Sequence, residues 1–88
     1  MSDQPLKDKE ELFSAVLSLS SVKECEEFFK DLCTEKELIS MIGRIKAAKM
    51  LKNGETYEQI IKKTDISSAT LSRVSKALKS GNGYKNLL

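Results

Sequence analysis

Between Ser67 and Lys79 the chain reads SSATLSRVSKALK, and at 3.6 residues per turn this segment separates two chemistries onto two sides of one helix. Leu71, Val74 and Leu78 recur at i, i+3 and i+7 and must face inward. The other side carries Ser68, Ala69, Ser72, Arg73 and Lys76, small hydrogen-bonding residues mixed with cations. Such a face suits a polyanion with readable edges. Ser68 and Ala69 are short enough to let the helix N-terminus approach a DNA groove, where backbone N–H groups bond phosphate. Thr70 and Ser72 offer hydroxyls to bases or phosphates, while Arg73, Lys76 and Lys79 lie where a phosphate backbone would run or, for the arginine, inside a pocket. Lys62 and Lys63 flank this face from the preceding segment.

Bond-making chemistry finds little support. There is no histidine, and the two cysteines, Cys25 and Cys33, stand without the companions a zinc site needs. No nucleophile sits beside a base and no phosphate loop occurs, so the expectation is a non-enzyme that needs no cofactor. Both cysteines read as small apolar residues on a helix, kept reduced inside the cell. No apolar run approaches the ~20 residues of a membrane span, and MSDQPLKDKEELF lacks the apolar core of a signal peptide. A cytoplasmic protein with no membrane partner is expected.

The net charge of +2 conceals an asymmetry. Residues 1–40 hold five Lys against ten Asp or Glu, whereas residues 41–88 hold ten Lys or Arg against three Asp or Glu. A basic half beside an acidic half points to a polyanion partner for the basic half alone. Nucleic acid is favoured over a membrane surface because no anchor rich in large apolar residues lies there.

The elements that must position these groups all carry a helical period, and no alternating strand pattern is found, so the fold class is all-α. Leu12, Phe13, Val16 and Leu17 define a first amphipathic helix over about residues 6–19, with Pro5 near its start. Ser21-Val-Lys-Glu24 has capping-box spacing and opens a second helix striped by Val22, Cys25, Phe28, Phe29 and Leu32. Thr34-Glu-Lys-Glu37 repeats the signal. A third helix follows over about 35–52, with Leu38, Ile42, Ile45, Ala48 and Leu51 read as one face, and Asn53-Gly54 supplies a left-handed stop. Thr56-Tyr-Glu-Gln59 opens a short fourth helix, Thr64-Asp65-Ile66 makes a turn, and Ser67 caps the fifth helix. Ser80-Gly-Asn-Gly83 ends regular structure, leaving Tyr84 to Leu88 as a loose tail.

The organisation expected is a single domain over residues 1–88. Residues 6–52 form helices and a dimerisation scaffold, 56–79 a helix-turn-helix, and 80–88 a tail. In a helix-turn-helix a short first helix braces a second whose outward N-terminal residues enter the major groove. The inner positions are met by Ile60, Ile66, Leu71 and Val74. Asp65 stands in the turn where many such motifs carry Gly, and Ile61 stands where a small side chain is common.

The stretch from Asp31 to Lys79 resembles the tryptophan repressor family, and more closely its YerC/YecD-type members. The resemblance is carried by Thr34 with Glu37, Arg44 in the long helix, Gly54-Glu55, Ala69-Thr-Leu-Ser-Arg73 and the Gly81-Asn-Gly-Tyr84 ending. It implies a Trp repressor-like fold and a homodimer with intertwined N-terminal helices. Two helix-turn-helix heads would then read a palindromic site in double-stranded DNA as a transcriptional regulator, most simply a repressor. It also implies a ligand pocket between the long helix and the fifth helix, gripped by Arg44 and Arg73 and walled by Thr34. The residue after the second arginine is glycine in the tryptophan repressor and Val74 here, and a pocket serine corresponds to Ala77. A valine there takes space an indole ring needs, and overpacking typically costs about 1–3 kcal/mol, so no useful response to L-tryptophan is expected. Val74 equally completes the inner stripe of its helix. Arg44 either holds an unknown anionic effector or pairs with an acidic residue of the partner chain. Two other functions are compatible with the sequence: a helical adaptor that binds a protein through its acidic half and DNA non-specifically, and a regulator gated by another small anion.

Overall fold

The computed structural model describes residues 6–88, and Pro5 lies outside them. Six helices follow in order among the described residues: α1 (Lys9–Leu17), α2 (Val22–Leu32), α3 (Glu35–Lys52), α4 (Tyr57–Thr64), α5 (Ser68–Ser80) and α6 (Gly83–Leu87). The all-α expectation holds. Two compact units divide the chain, Met1–Thr34 and Glu35–Leu88. The long helix α3 packs with α4 and α5.

In the first unit, α1 is shorter than the 6–19 expected and contains no buried residue. The α2 start is capped as its sequence indicates, with the Glu24 N–H donating to Ser21 Oγ at 3.1 Å. The reciprocal bond falls one residue earlier than a capping box requires. Glu24 Oε1 accepts from the Ser20 N–H at 2.9 Å and the Ser20 hydroxyl at 3.0 Å, not from the Ser21 amide. Those two bonds favour the ionised carboxylate, so Glu24 titrates below its ordinary 4.5, the Ser20 backbone N–H being the larger cause. Phe28 and Phe29 meet edge to face with centroids 5.5 Å apart, and the Cys33 thiol donates to the Phe29 carbonyl. Both cysteines are free.

The second unit holds the core: Ala47 and Ala48 of α3, Ile60 of α4, and Leu71 and Val74 of α5. Ile60 and Leu71 are its largest fully enclosed side chains, each stabilising the unit by about 1.5–3 kcal/mol relative to exposure. Small residues on α3 allow this close packing. A Cβ built on Gly43 would lie 2.9 Å from Ile66 Cγ2, so the turn between α4 and α5 presses directly against bare α3 backbone.

The α3 face read from the sequence needs correction. Leu38, Ile42 and Ile45 cluster on one side of the helix at 100° per residue, whereas Gly43, Ala47 and Leu51 cluster nearly opposite. Only the second side is packed on α4 and α5; Ile42 and Ile45 are 45% and 42% exposed, and Ile39 is 60% exposed. Reading the apolar residues as one stripe merged two faces.

The tail also differs from expectation. Residues 83–87 form α6, which packs on α5, and Tyr84 and Leu88 lie against the core. Their i, i+4 spacing turns both to one side of the short helix. Burial of those two side chains outweighs the loop preference of the Gly-Asn-Gly run.

Candidate nucleic-acid interface

The α4–α5 pair is held by local hydrogen bonds that its sequence encodes. Thr56 Oγ1 accepts from the Gln59 N–H at 3.2 Å while the Thr56 N–H donates to Gln59 Oε1 at 2.9 Å, a complete capping box. At its other end α4 stops on Asp65, which adopts the left-handed conformation at φ 60°, ψ 13° and donates its N–H to the Ile61 carbonyl at 3.0 Å. Three residues, Asp65 to Ser67, then redirect the chain into α5. Ser67 caps that helix by accepting from the Thr70 N–H at 3.1 Å, and its hydroxyl donates to Thr70 Oγ1 at 2.9 Å.

With Leu71, Val74 and Ser75 buried, the orientation of α5 is fixed. Ser68, Ala69, Ser72, Arg73 and Lys76 are all exposed on it, as are Lys62 and Lys63 on α4. Thr70 stands apart from this group. It is half-buried, engaged by Ser67, and lines an open pocket, and at 100° per residue it lies on the other side of α5 from Ser68 and Ser72. Lys63 is also committed, its ammonium 2.8 Å from Glu55 Oε1 in a surface ion pair. Such pairs are worth about 0–1 kcal/mol and would yield readily to a phosphate.

The cavity, about 200 Å³, is lined by Arg44, Thr70, Arg73, Val74, Ala77 and Tyr84. It brings together Arg44, Arg73 and Val74 from the expected pocket; Thr34 is not among its lining residues. Val74 is 3% exposed and belongs to the core, so its bulk is set by packing as well as by the cavity wall. Among the described residues Arg44 and Arg73 have no ion-pair partner. Tyr84 is a lining residue that sequence reasoning left in a tail; the i, i+4 relation of Tyr84 and Leu88 was the available signal.

Residues 7–88 match the family model described as Trp repressor protein. The chain belongs to the Trp repressor family. This membership extends the Asp31–Lys79 resemblance to nearly the whole sequence, α1, α2 and α6 included. "Uncharacterized protein YerC" of Bacillus subtilis (strain 168) is 45% identical over 76 residues, spanning 86% of this chain and 73% of that protein. Among solved structures, a TrpR like protein from Eubacterium eligens ATCC 27750 superimposes with a TM-score of 0.87 at 44% identity, over 93% of this chain and 88% of that one. A candidate Trp repressor from Staphylococcus aureus gives a TM-score of 0.86 at 38% identity, over 98% and 92% of the two chains. The family and these neighbours support a TrpR-like regulator. No helix among its described residues is long and apolar enough to cross a membrane.

Proposed function

We propose that this Trp repressor family member is a sequence-specific DNA-binding transcriptional regulator acting as a homodimer, with α4 and α5 as a helix-turn-helix head. The observation that carries the reading is the division of α5. Its inner side is locked into the core by Leu71 and Val74, and its outer side offers small residues, mostly hydroxyl-bearing, and cations. Ser68, Ala69 and Ser72 lie where base edges would be read, and Arg73, Lys76, Lys62 and Lys63 where phosphates would be met. Thr70, capped into Ser67, supports the start of α5 in this reading.

Dimerisation is supported by apolar surface that a single chain leaves uncovered. Ile39, Ile42 and Ile45 are exposed on α3, and Phe13, Leu17, Val22 and Leu32 are exposed in the first unit. A small chain gains most from covering such surface with a second copy. Two heads related by a two-fold axis then suit a palindrome whose half-sites are about 34 Å apart. In this reading L-tryptophan is not the effector, because Val74 takes cavity-wall space that an indole would need and Ala77 lacks the hydroxyl of the corresponding pocket serine; calorimetry on the pure protein, showing no binding at micromolar tryptophan, checks this.

A second reading, gating by another small anion, is favoured by one observation. Arg44 and Arg73 converge on the cavity with no ion-pair partner among the described residues. A competition titration at physiological salt tests the main reading. A dimer by sedimentation that holds one duplex against excess unrelated DNA supports it, and equal loss of all duplexes as salt rises contradicts it in favour of a loosely bound adaptor.

A further inference from the structure

The segment after α5 folds back onto the core. Tyr84 of α6 lies against the core and lines the cavity beside Arg44 of α3 and Arg73 of α5. Leu88, one turn further on, also packs on the core. The Lys52 ammonium, at the last residue of α3, bonds the Leu88 carbonyl oxygen, and the Lys85 ammonium reaches the Lys79 carbonyl of α5 at 3.5 Å. The segment 83–88 thus touches the C-terminal ends of both α3 and α5.

Helix pairs in a small unit are held mainly by the apolar side chains between them, and α3 contributes little bulk there. Its buried residues are Gly43, Ala47 and Ala48. Ile66 of the α4–α5 turn packs on Gly43, and next along α3 Arg44 lines, with Arg73 of α5 and Tyr84, the pocket that the two helices share. The Tyr84 ring, supplied by the chain itself, packs on the core and lines this pocket together with residues of both helices.

We propose that α6 is an intramolecular clamp that fixes α5 against α3 through Tyr84, so that the head holds its DNA-docking angle without a small-molecule effector. The inference rests on the DNA-binding reading above, and its test separates the two. Affinity falls in proportion to the fraction of molecules whose head holds the docking pose, so a clamp lost in nine molecules of ten weakens each head by about tenfold.

The experiment compares the full-length parent with Tyr84→Phe, Tyr84→Leu and Tyr84→Ala, none of which alters charge. Amide hydrogen exchange is measured without DNA, and binding is measured on a duplex selected by the parent and on a random duplex. Tyr84→Phe should behave as the parent. Tyr84→Ala should speed exchange across α5 more than across α4, and should lower affinity for the selected duplex by about tenfold per head. The salt slope should not change, because no phosphate contact is removed. If Tyr84→Ala does not fold, Tyr84→Leu supplies the same comparison at partial strength, its apolar bulk keeping the core closed while the ring is gone. Unchanged α5 exchange in the folded variants overturns the clamp whatever the DNA result. A parent that binds its selected duplex only after a small anion is added overturns the clamp while leaving the DNA reading intact. A parent with no sequence preference removes the DNA reading, and the exchange data still decide whether α6 holds α5.

Discussion

Ile66 Cγ2 sits 2.9 Å from the point where a Cβ on Gly43 would be, so the Ile66 side chain of the α4–α5 turn packs directly on the backbone of the long helix. Alanine at Gly43 gains about 1 kcal/mol in helix propensity but meets a branched methyl that has little freedom to move. Gly43→Ala should therefore destabilise the protein by about 1–2 kcal/mol, the overpacking exceeding the propensity gain. In an Ile66→Ala background the same change should become neutral or stabilising. Urea denaturation of the four proteins gives the coupling directly, and additivity within about 0.5 kcal/mol would deny that the two positions meet.

Asp65 is the one non-glycine residue with positive φ among the described residues, and its backbone must stay left-handed for α5 to leave the turn in its observed direction. Alanine lacks the short polar side chain that makes this region tolerable, so Asp65→Ala should cost about 1 kcal/mol. Asp65→Gly should be nearly neutral, the relief of strain being offset by about 0.4–1 kcal/mol of unfolded-chain entropy. The midpoints of thermal or urea unfolding rank the three proteins, and an alanine variant as stable as the glycine variant would contradict the strained turn.

Glu24 is held below its ordinary 4.5 by the Ser20 N–H first and the Ser20 hydroxyl second. A carboxylate with a depressed folded-state pKa contributes stability that is present above 4.5 and disappears as pH falls through the lower folded value. Helicity of the parent should decline more steeply with acid in that window than helicity of Glu24→Gln, which can accept the same bonds without titrating. Parallel acid profiles would remove the cap from the stability of α2.

Lys76 and Ser72 are neighbours on the exposed side of α5 with different expected duties. Lys76→Ala should weaken binding to every duplex alike and reduce the salt slope by about one. Ser72→Ala should leave that slope unchanged and alter preference at one base step. Salt titrations on matched and singly mismatched duplexes distinguish these outcomes, and parental behaviour from both variants would dissociate α5 from DNA.

Much of the second unit was legible because its signals are local. Thr56 with Gln59, Ser67 with Thr70, and the Leu71–Val74 spacing each act within one or two turns, and the structure shows each contact. The features missed depend on partners distant in sequence. Gly43 carries no local sign that Ile66 will press on it, and α3 shows two opposed apolar sides that a single periodicity count merges. The Gly-Asn-Gly run before Tyr84 has loop composition, yet the core offers Tyr84 and Leu88 enough burial to order α6. Within the candidate site, the exposed α5 residues followed from helical period alone. Thr70 did not, because its hydroxyl is drawn to Ser67 and its side chain toward the cavity.

The central claim is that two α5 helices, paired across a dimer, read DNA sequence. Selection from random duplex DNA at physiological salt, followed by sequencing of what the protein retains, tests it most directly. One palindrome should be enriched, its half-sites about one helical turn apart. Recovery of unrelated sequences with no shared half-site, from protein that is folded and dimeric, would contradict it and leave the basic half as a non-specific tether.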